Sequence, residues 1–242
     1  MSDLMLLSEA QMRRIKPYFP LSHGIPRVDD RRIISGIVFV IRNGLRWRDA
    51  PKEYGPHKTI YNRFIRWSRL ARSQTRQAGT IDDRCYPFES TSDGSQPVKK
   101  GDVPRRIGRT KGGLNSKLHA VCDGQGRPLI MLLSEGQMSD FRGAALMLKA
   151  LPKAKAMLAD KGYDADWFRK ALADRRITAC IPSKANRKVP IPHDVVPYKQ
   201  RHKIENMFGK LKDWRRIHIR YDRCAHTFFS SLCIAAAVIF WL

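Results

Sequence analysis

Ile33, Ile34, Ile37, Val38 and Ile41 recur at helical spacing between two potential capping residues, Asp29 and Asp30, and an Asn43-Gly44 stop, so this stretch predicts an amphipathic helix. Upstream, Ser8 followed by Gln11 has the form of a capping box and predicts a short helix through Met12 and Ile15, ended before Pro20. Downstream, Pro56 leads into a third helix, with Ile60, Phe64 and Trp67 directed inward and His57, Lys58, Tyr61, Arg63 and Arg66 outward. Three short helices with a basic last member have the form of a helix-turn-helix unit. A three-helix packing module with a solvated basic face fits the same pattern.

From 72 to 100 the periodicity stops, and Gln74, Thr75, Gly79, Ser90, Thr91, Ser92, Gly94 and Ser95 make a polar, turn-rich tract that reads as a linker. Beyond it, 118–122 and 129–133 read as strands joined by the hairpin signal Asp123-Gly124-Gln125-Gly126. A helix over 144–151, a strand over 156–159, a helix over 164–174, a strand over 178–181 and a long helix over 198–214 follow. The 108–113 stretch is only a basic turn. The apolar run 228–242 is shorter than the ~20 residues that span a bilayer and includes Ser230, Ser231 and Cys233, so it reads as a buried C-terminal helix. Residues 1–7 lack the pattern of a signal peptide. The alternation predicts a mixed α/β domain after a small all-α domain, with boundaries at 1–71, 72–100 and 101–242.

The charge adds a partner to this picture. A formal net charge of +24 and a pI near 10.4 exceed what solubility requires and point to a polyanion. The cations run from Arg13 and Arg14 through Lys99 and Arg105 to Arg220 and Arg223, so they do not form one detachable arm. An RNA-binding protein would need interleaved aromatics on an open platform. Here Trp47, Phe64, Trp67, Phe208, Trp214 and Phe240 fall mostly on inferred buried faces. The five cysteines include no Cys-x2-Cys pair and read as reduced thiols, while His119, His202 and His226 stand apart from one another and read as solvated or hydrogen-bonded rather than ligating.

Two carboxylates stand out. Asp160 ends a short apolar strand, where side chains project into the crevice above a sheet, and Gly162 beside it allows a tight turn. Glu205 lies in Tyr198-x2-Arg201-x3-Glu205-x6-Lys212, where an ordinary surface ion pair is the alternative reading. That register, preceded by Leu-Ala-Asp-Lys-Gly-Tyr-Asp around Asp160, resembles the signature of DDE transposases of the insertion-sequence-four and insertion-sequence-five families. Trp47-Arg48-Asp49-Ala50-Pro51 and Tyr61-Asn62-Arg63-Phe64-x2-Trp67 resemble the N-terminal module of the five group.

The resemblance implies a ribonuclease-H-like core in which three carboxylates hold two divalent cations, Mg2+ or Mn2+, for phosphodiester hydrolysis and strand transfer. It makes Asp160 the second acidic ligand and Glu205 the third, and places Tyr198, Arg201 and Lys212 against DNA. It also implies double-stranded DNA as partner, a homo-oligomer on paired element ends, no membrane, and a location in the bacterial cytoplasm at the nucleoid.

In the resembled family the first acidic ligand lies on the opening strand, in a segment like Met-Ile-Asp-Ala-Thr-His-Leu-Lys-Ala-His-Arg-Thr-Ala-Ala-Ser-Leu-Leu-Lys-Lys-Gly. Residues 82–101 read quite differently. They can nevertheless be written in codons that spell this whole segment when read one base later, with the aspartate codon straddling Arg84 and Cys85. The tract from 82 to about 99 therefore reads as a frameshifted copy of the opening strand. Asp82 and Asp83 are substitutes for the ligand by position only, and Pro87 argues against a central strand there. Two functional readings follow: a transposase that cuts and joins DNA, and a non-cutting DNA-binding remnant or inhibitor of the element's movement.

Overall fold

The computed structural model describes residues 4–19, 29–77 and 105–242. The opening strand expected at 82–99, with Asp82 and Asp83, lies outside them.

Helix α1 (Glu9–Ile15) forms with its capping box complete, Ser8 and Gln11 exchanging side-chain and backbone bonds. In α2 (Asp30–Asn43), Asp29 accepts the Arg32 N–H and the helix ends on Gly44 in the left-handed conformation, as its Asn-Gly stop predicts. Helix α3 (His57–Gln77) buries Ile60 and Phe64 and exposes His57, Lys58, Tyr61 and Arg66. Arg63 differs from its expected outward position: it is half-buried and pairs with Asp30 at 2.7 Å, tying α3 to the start of α2.

The second half opens with β1 (Gly108–Thr110), β2 (Gly113–Cys122) and β3 (Pro128–Glu135), antiparallel in the order β1-β2-β3. The predicted β2–β3 turn is built by Asp123, whose Oδ1 accepts the N–H groups of Gln125 and Arg127, both at 2.9 Å. Stretch 108–113, expected as a bare turn, is instead a tight hairpin, and β2 starts five residues before its expected first residue. Helix α4 (Asp140–Leu148) begins ahead of the expected 144, because Ser139 caps it by accepting the Arg142 N–H. Strand β4 (Ala156–Leu158), helix α5 (Asp166–Asp174) and strand β5 (Thr178–Cys180) follow, with β4 and β5 parallel. The long helix expected over 198–214 is segmented into α6 (Val195–Tyr198), a 3-10 turn at Lys199–Arg201 and α7 (His202–Lys212).

The chain closes with α8 (Arg215–His218) and α9 (Ala225–Phe240). By contacts it divides into two units. The first joins the N-terminal helices to Phe208–Leu242, and the second is Arg106–Met207.

In the first unit α2 is the hub, packed by α3, α8 and α9, with Ile37, Val38, Val40 and Ile41 fully buried. Buried Arg216 makes a two-pronged pair with Asp222 at 2.9 and 3.0 Å, donates to the Leu45 carbonyl and lies 4.9 Å from the Trp47 ring. The predicted apolar C-terminal helix is buried on Phe228, Leu232, Ala235 and Ala236, and no described helix is long and apolar enough to cross a membrane. Gly36 of α2 has no spare room, since a Cβ would stand 2.7 Å from Tyr54 Cβ. Gly36→Ala is therefore expected to cost about 1–3 kcal/mol through overpacking, read as a lower denaturation midpoint.

The second unit is a mixed α/β core around Ala144, Leu151, Ala159, Phe168, Leu172, Ile177 and Ile181. Val121 of β2 and Met157 of β4 both pack on this cluster. Among the described residues, however, β2 pairs only with β1 and β3, and β4 only with β5, so the core carries two separate sheets.

Candidate active site

Asp160 lies two residues beyond β4 and caps the 3-10 turn Lys161–Tyr163, with Oδ1 accepting the Gly162 N–H at 2.8 Å. Gly162 leaves this carboxylate room: a Cβ there would stand 2.7 Å from Asp160 Oδ1, so the Asp160 side chain would have to shift, and 3.4 Å from Asp140 Oδ2. The same measurement brings a second carboxylate into view. Asp140, in the first turn of α4, flanks Gly162 opposite Asp160.

Asp140 is held by Lys117 of β2, whose ammonium lies 3.1 Å from its Oδ1 and 3.1 Å from the Met138 carbonyl. Burial, and then the negative fields of Asp140 and Asp160, push the Tyr163 phenol up to about 12, so it remains protonated near neutral pH. On the same face of β2 as Lys117, two residues on, His119 is buried against Ser134 Oγ at 3.0 Å. Burial, then the Lys117 charge, lower its pKa and favour the neutral ring. Gly143 makes room for that ring, because a Cβ would meet His119 Nδ1 at 2.4 Å.

Lys117, Asp140 and Tyr163 escape a reading of the sequence. The available signals were the alternation of Lys117 with His119 on one strand face and the Ser139-Asp140 helix start.

Glu205 lies in the first turns of α7, with its side chain 59% exposed and paired to Arg201 four residues earlier. The ion pair proposed as the alternative for Glu205 thus exists. Tyr198 ends α6 with its ring edge-on to His193 at 5.1 Å, and Lys212 ends α7 exposed to solvent. Lys203 fixes the start of α7 to the β2–β3 turn by donating to the Gly124 carbonyl at 2.6 Å. Gly126 permits that approach, since its Cβ would lie 3.3 Å from both Cβ and O of Lys203.

Among the described residues no three of His, Cys, Asp and Glu form a group that could hold a metal ion. Asp160 is engaged with the Gly162 N–H and Glu205 with Arg201, so the described side chains do not compose the three-carboxylate donor set. The histidines are hydrogen-bonded as expected: His119 to Ser134, His202 to the Lys199 carbonyl and His226 to the Ser68 carbonyl.

Four residues past Asp160, Asp164 is a buried hub. Its carboxylate takes Arg169 Nε at 2.8 Å, Arg187 Nε at 2.9 Å and the Lys184 N–H at 2.8 Å. Burial alone would raise this carboxyl, but bonds from Arg187, Lys184 and Arg169 outweigh it and hold the pKa far below the usual carboxylate range. The segment after β5 is thereby pinned to the turn that carries Asp160.

This acidic corner, on an α/β core that follows a helical module, defines a class that comparison with known proteins identifies. The family model described as "Transposase DDE domain" matches residues 74–240, and that of "Putative transposase of IS4/5 family" matches residues 7–74. The chain belongs to the DDE transposases of the IS4/5 insertion-sequence group. It is 36% identical over 130 residues, 53% of its length, to 99% of a Brucella ovis protein described as "Putative transposase for insertion sequence element IS6501". A Burkholderia cepacia protein described as "Putative transposase for insertion sequence element IS402" is 29% identical over 57% of this chain and 72% of its own. No solved structure matches.

Proposed function

We propose that this chain is an insertion-sequence transposase that binds double-stranded DNA at the ends of its element and has lost efficient strand cutting. The observation that carries this reading is the uneven site. The two later carboxylates, Asp160 and Glu205, stand in family motifs, while residues 82–101, where the family carries its first acidic ligand, read quite differently.

A ribonuclease-H-like core fits the antiparallel β1-β2-β3 sheet followed by parallel β4–β5. Asp160 and Glu205 would be ligands for Mg2+ or Mn2+, two ions that in a complete site would activate water and stabilise the leaving 3′ oxygen. With that set incomplete, no cutting step is assigned to the described residues. Arg201, Lys212 and Tyr198 serve DNA instead, the two cations against phosphates. The exposed row His57, Lys58, Tyr61 and Arg66 on α3 suits groove or backbone contact by the N-terminal module. Association of copies on paired ends, in the bacterial cytoplasm at the nucleoid, completes the reading.

Binding of the purified chain to duplexes taken from the flanks of its own gene, followed by gel shift over a salt series, tests this. Affinity should fall steeply with salt, and incubation with Mg2+ or Mn2+ should leave the strands intact. Failure to bind would sink the reading. Cleavage that disappears in Glu205→Ala would show the cutting step to be retained.

A further inference from the structure

We infer that the β1–β2 hairpin is a DNA-contacting finger, a two-stranded ribbon that offers Arg109, Lys111 and Leu114 to the groove and phosphates of a duplex. Its architecture is that of a ribbon anchored on one face. Cross-strand pairing sets Gly108 opposite Asn115, Arg109 opposite Leu114 and Thr110 opposite Gly113, so Arg109 and Leu114 share a face and Gly108 and Asn115 share the other.

The Gly108–Asn115 face touches the 136–137 stretch, with Gly108 buried and Asn115 still exposed. A Cβ on Gly108 would stand 1.4 Å from Gln137 Oε1, and one on Gly136 would stand 1.7 Å from Asn115 Oδ1. Two polar bonds stiffen the tip, Thr110 Oγ1 donating to the Gly113 carbonyl and Asn115 Nδ2 to Thr110 Oγ1, both at 3.0 Å. At the base, Arg106 pairs with Glu135 at 2.8 Å.

On the opposite face Arg109 is exposed and Leu114 is 73% exposed; Lys111 follows in the exposed turn, and neither cation has an ion-pair partner among the described residues. Gly113 turns the chain at φ 99°, with no described atom within 4 Å of where a Cβ would be.

The occupant follows from charge: Arg109 stands across from Leu114, Lys111 lies in the adjoining turn, and the chain's net charge of +24 calls for a polyanion. Duplex DNA satisfies all three side chains. A two-stranded ribbon fits the B-DNA major groove, the cations meet phosphates or guanine edges, and an aliphatic tip meets thymine methyl groups.

The inference rests on the DNA-binding reading above, and the experiment separates the two. The full chain, an Arg109→Ala/Lys111→Ala variant and a Lys153→Ala/Lys155→Ala variant are titrated with the same duplex over a salt series. The second pair removes equal charge from another exposed stretch of the same unit. If both finger cations meet phosphates, the hairpin variant should lose about 1.8 from the slope of log affinity against log salt, at an unchanged melting temperature. The Lys153/Lys155 variant should keep the parent slope. Equal losses in the two variants, or none in the hairpin variant while the parent binds, would overturn the finger and leave DNA binding standing. A parent that does not bind would overturn both.

Discussion

Replacing residues 82–99 with the segment spelled in the neighbouring frame, a change that includes Arg84→Asp, is expected to raise Mg2+-dependent nicking of element-end duplex by at least about a thousandfold. Removing one member of a concerted catalytic set costs on that order or more, so restoring it should return as much. The present arrangement gives the reason. Asp160 and Asp140 flank Gly162, Glu205 pairs with Arg201, and no described group of three can hold a metal ion.

A restored opening strand would add a carboxylate. It would also have two unjoined sheets to pair with, since β2 and β4 lack strand partners beyond β1, β3 and β5 among the described residues. The repaired chain should therefore melt at a higher temperature as well as nick DNA. Glu205→Ala in the repaired chain should abolish nicking and leave duplex binding in place. A repaired chain that binds but stays inert would refute the frameshift account, as would a gene whose codons over 82–99 do not contain the shifted segment.

Local signals account for what the sequence revealed in advance. The Ser8–Gln11 box, the Asp29 cap, the Gly44 stop and the Asp123 turn each act within a few residues, and each formed as read. Asp160 was placed at the end of its strand for the same reason. Partners distant in the chain were hidden. Lys117 and Asp140 lie 23 residues apart and meet only once β2 and α4 pack. Likewise, nothing local says that the α9 apolar run packs on α2 and α3. Arg63 carried an outward, basic signal that its pairing with Asp30 overrides. The hairpin at 108–115 gives no sequence signal because β1 is only three residues long, too short to show a period, and pairs only with Gly113–Asn115 of β2. The 3-10 turn at Lys199–Arg201 breaks a helix that Ile204, Phe208 and Leu211 on one side made look continuous, while Arg201 and Glu205 keep the i,i+4 pairing the sequence spacing allows.

Asp164→Ala should be among the most destabilising single changes in the α/β unit, at about 3–5 kcal/mol, because it leaves the Arg169 guanidinium without its counter-charge at a buried site and Arg187 with only the exposed Asp166 carboxylate. The side chain of Asp164 is 1% exposed, and those of Arg169 and Arg187 are 12% and 17% exposed. The substitution also strips the Lys184 N–H of its acceptor. For a chain of this size each kcal/mol moves the melting temperature by roughly 2–4 °C, so a drop near 10 °C is the expected reading. Asp164→Asn keeps the shape and some of the bonds and should lose less.

The pH dependence has a definite sign. The carboxyl titrates at its ordinary 3.8 when unfolded and far lower when folded, so its contribution is complete above that value and is lost as the pH falls below it. The stability difference between the parent and Asp164→Asn should accordingly be constant at neutral pH and shrink on acidification below about 4. Because Asp164 also ties the 184–187 stretch to the turn bearing Asp160, duplex affinity per folded molecule should fall in Asp164→Ala only if that stretch touches DNA. Urea melts at several pH values together with gel shifts on the folded fraction measure both effects. A midpoint within the range of a surface substitution, about 0.5 kcal/mol, would show that the arginines find other partners and that the hub is not needed.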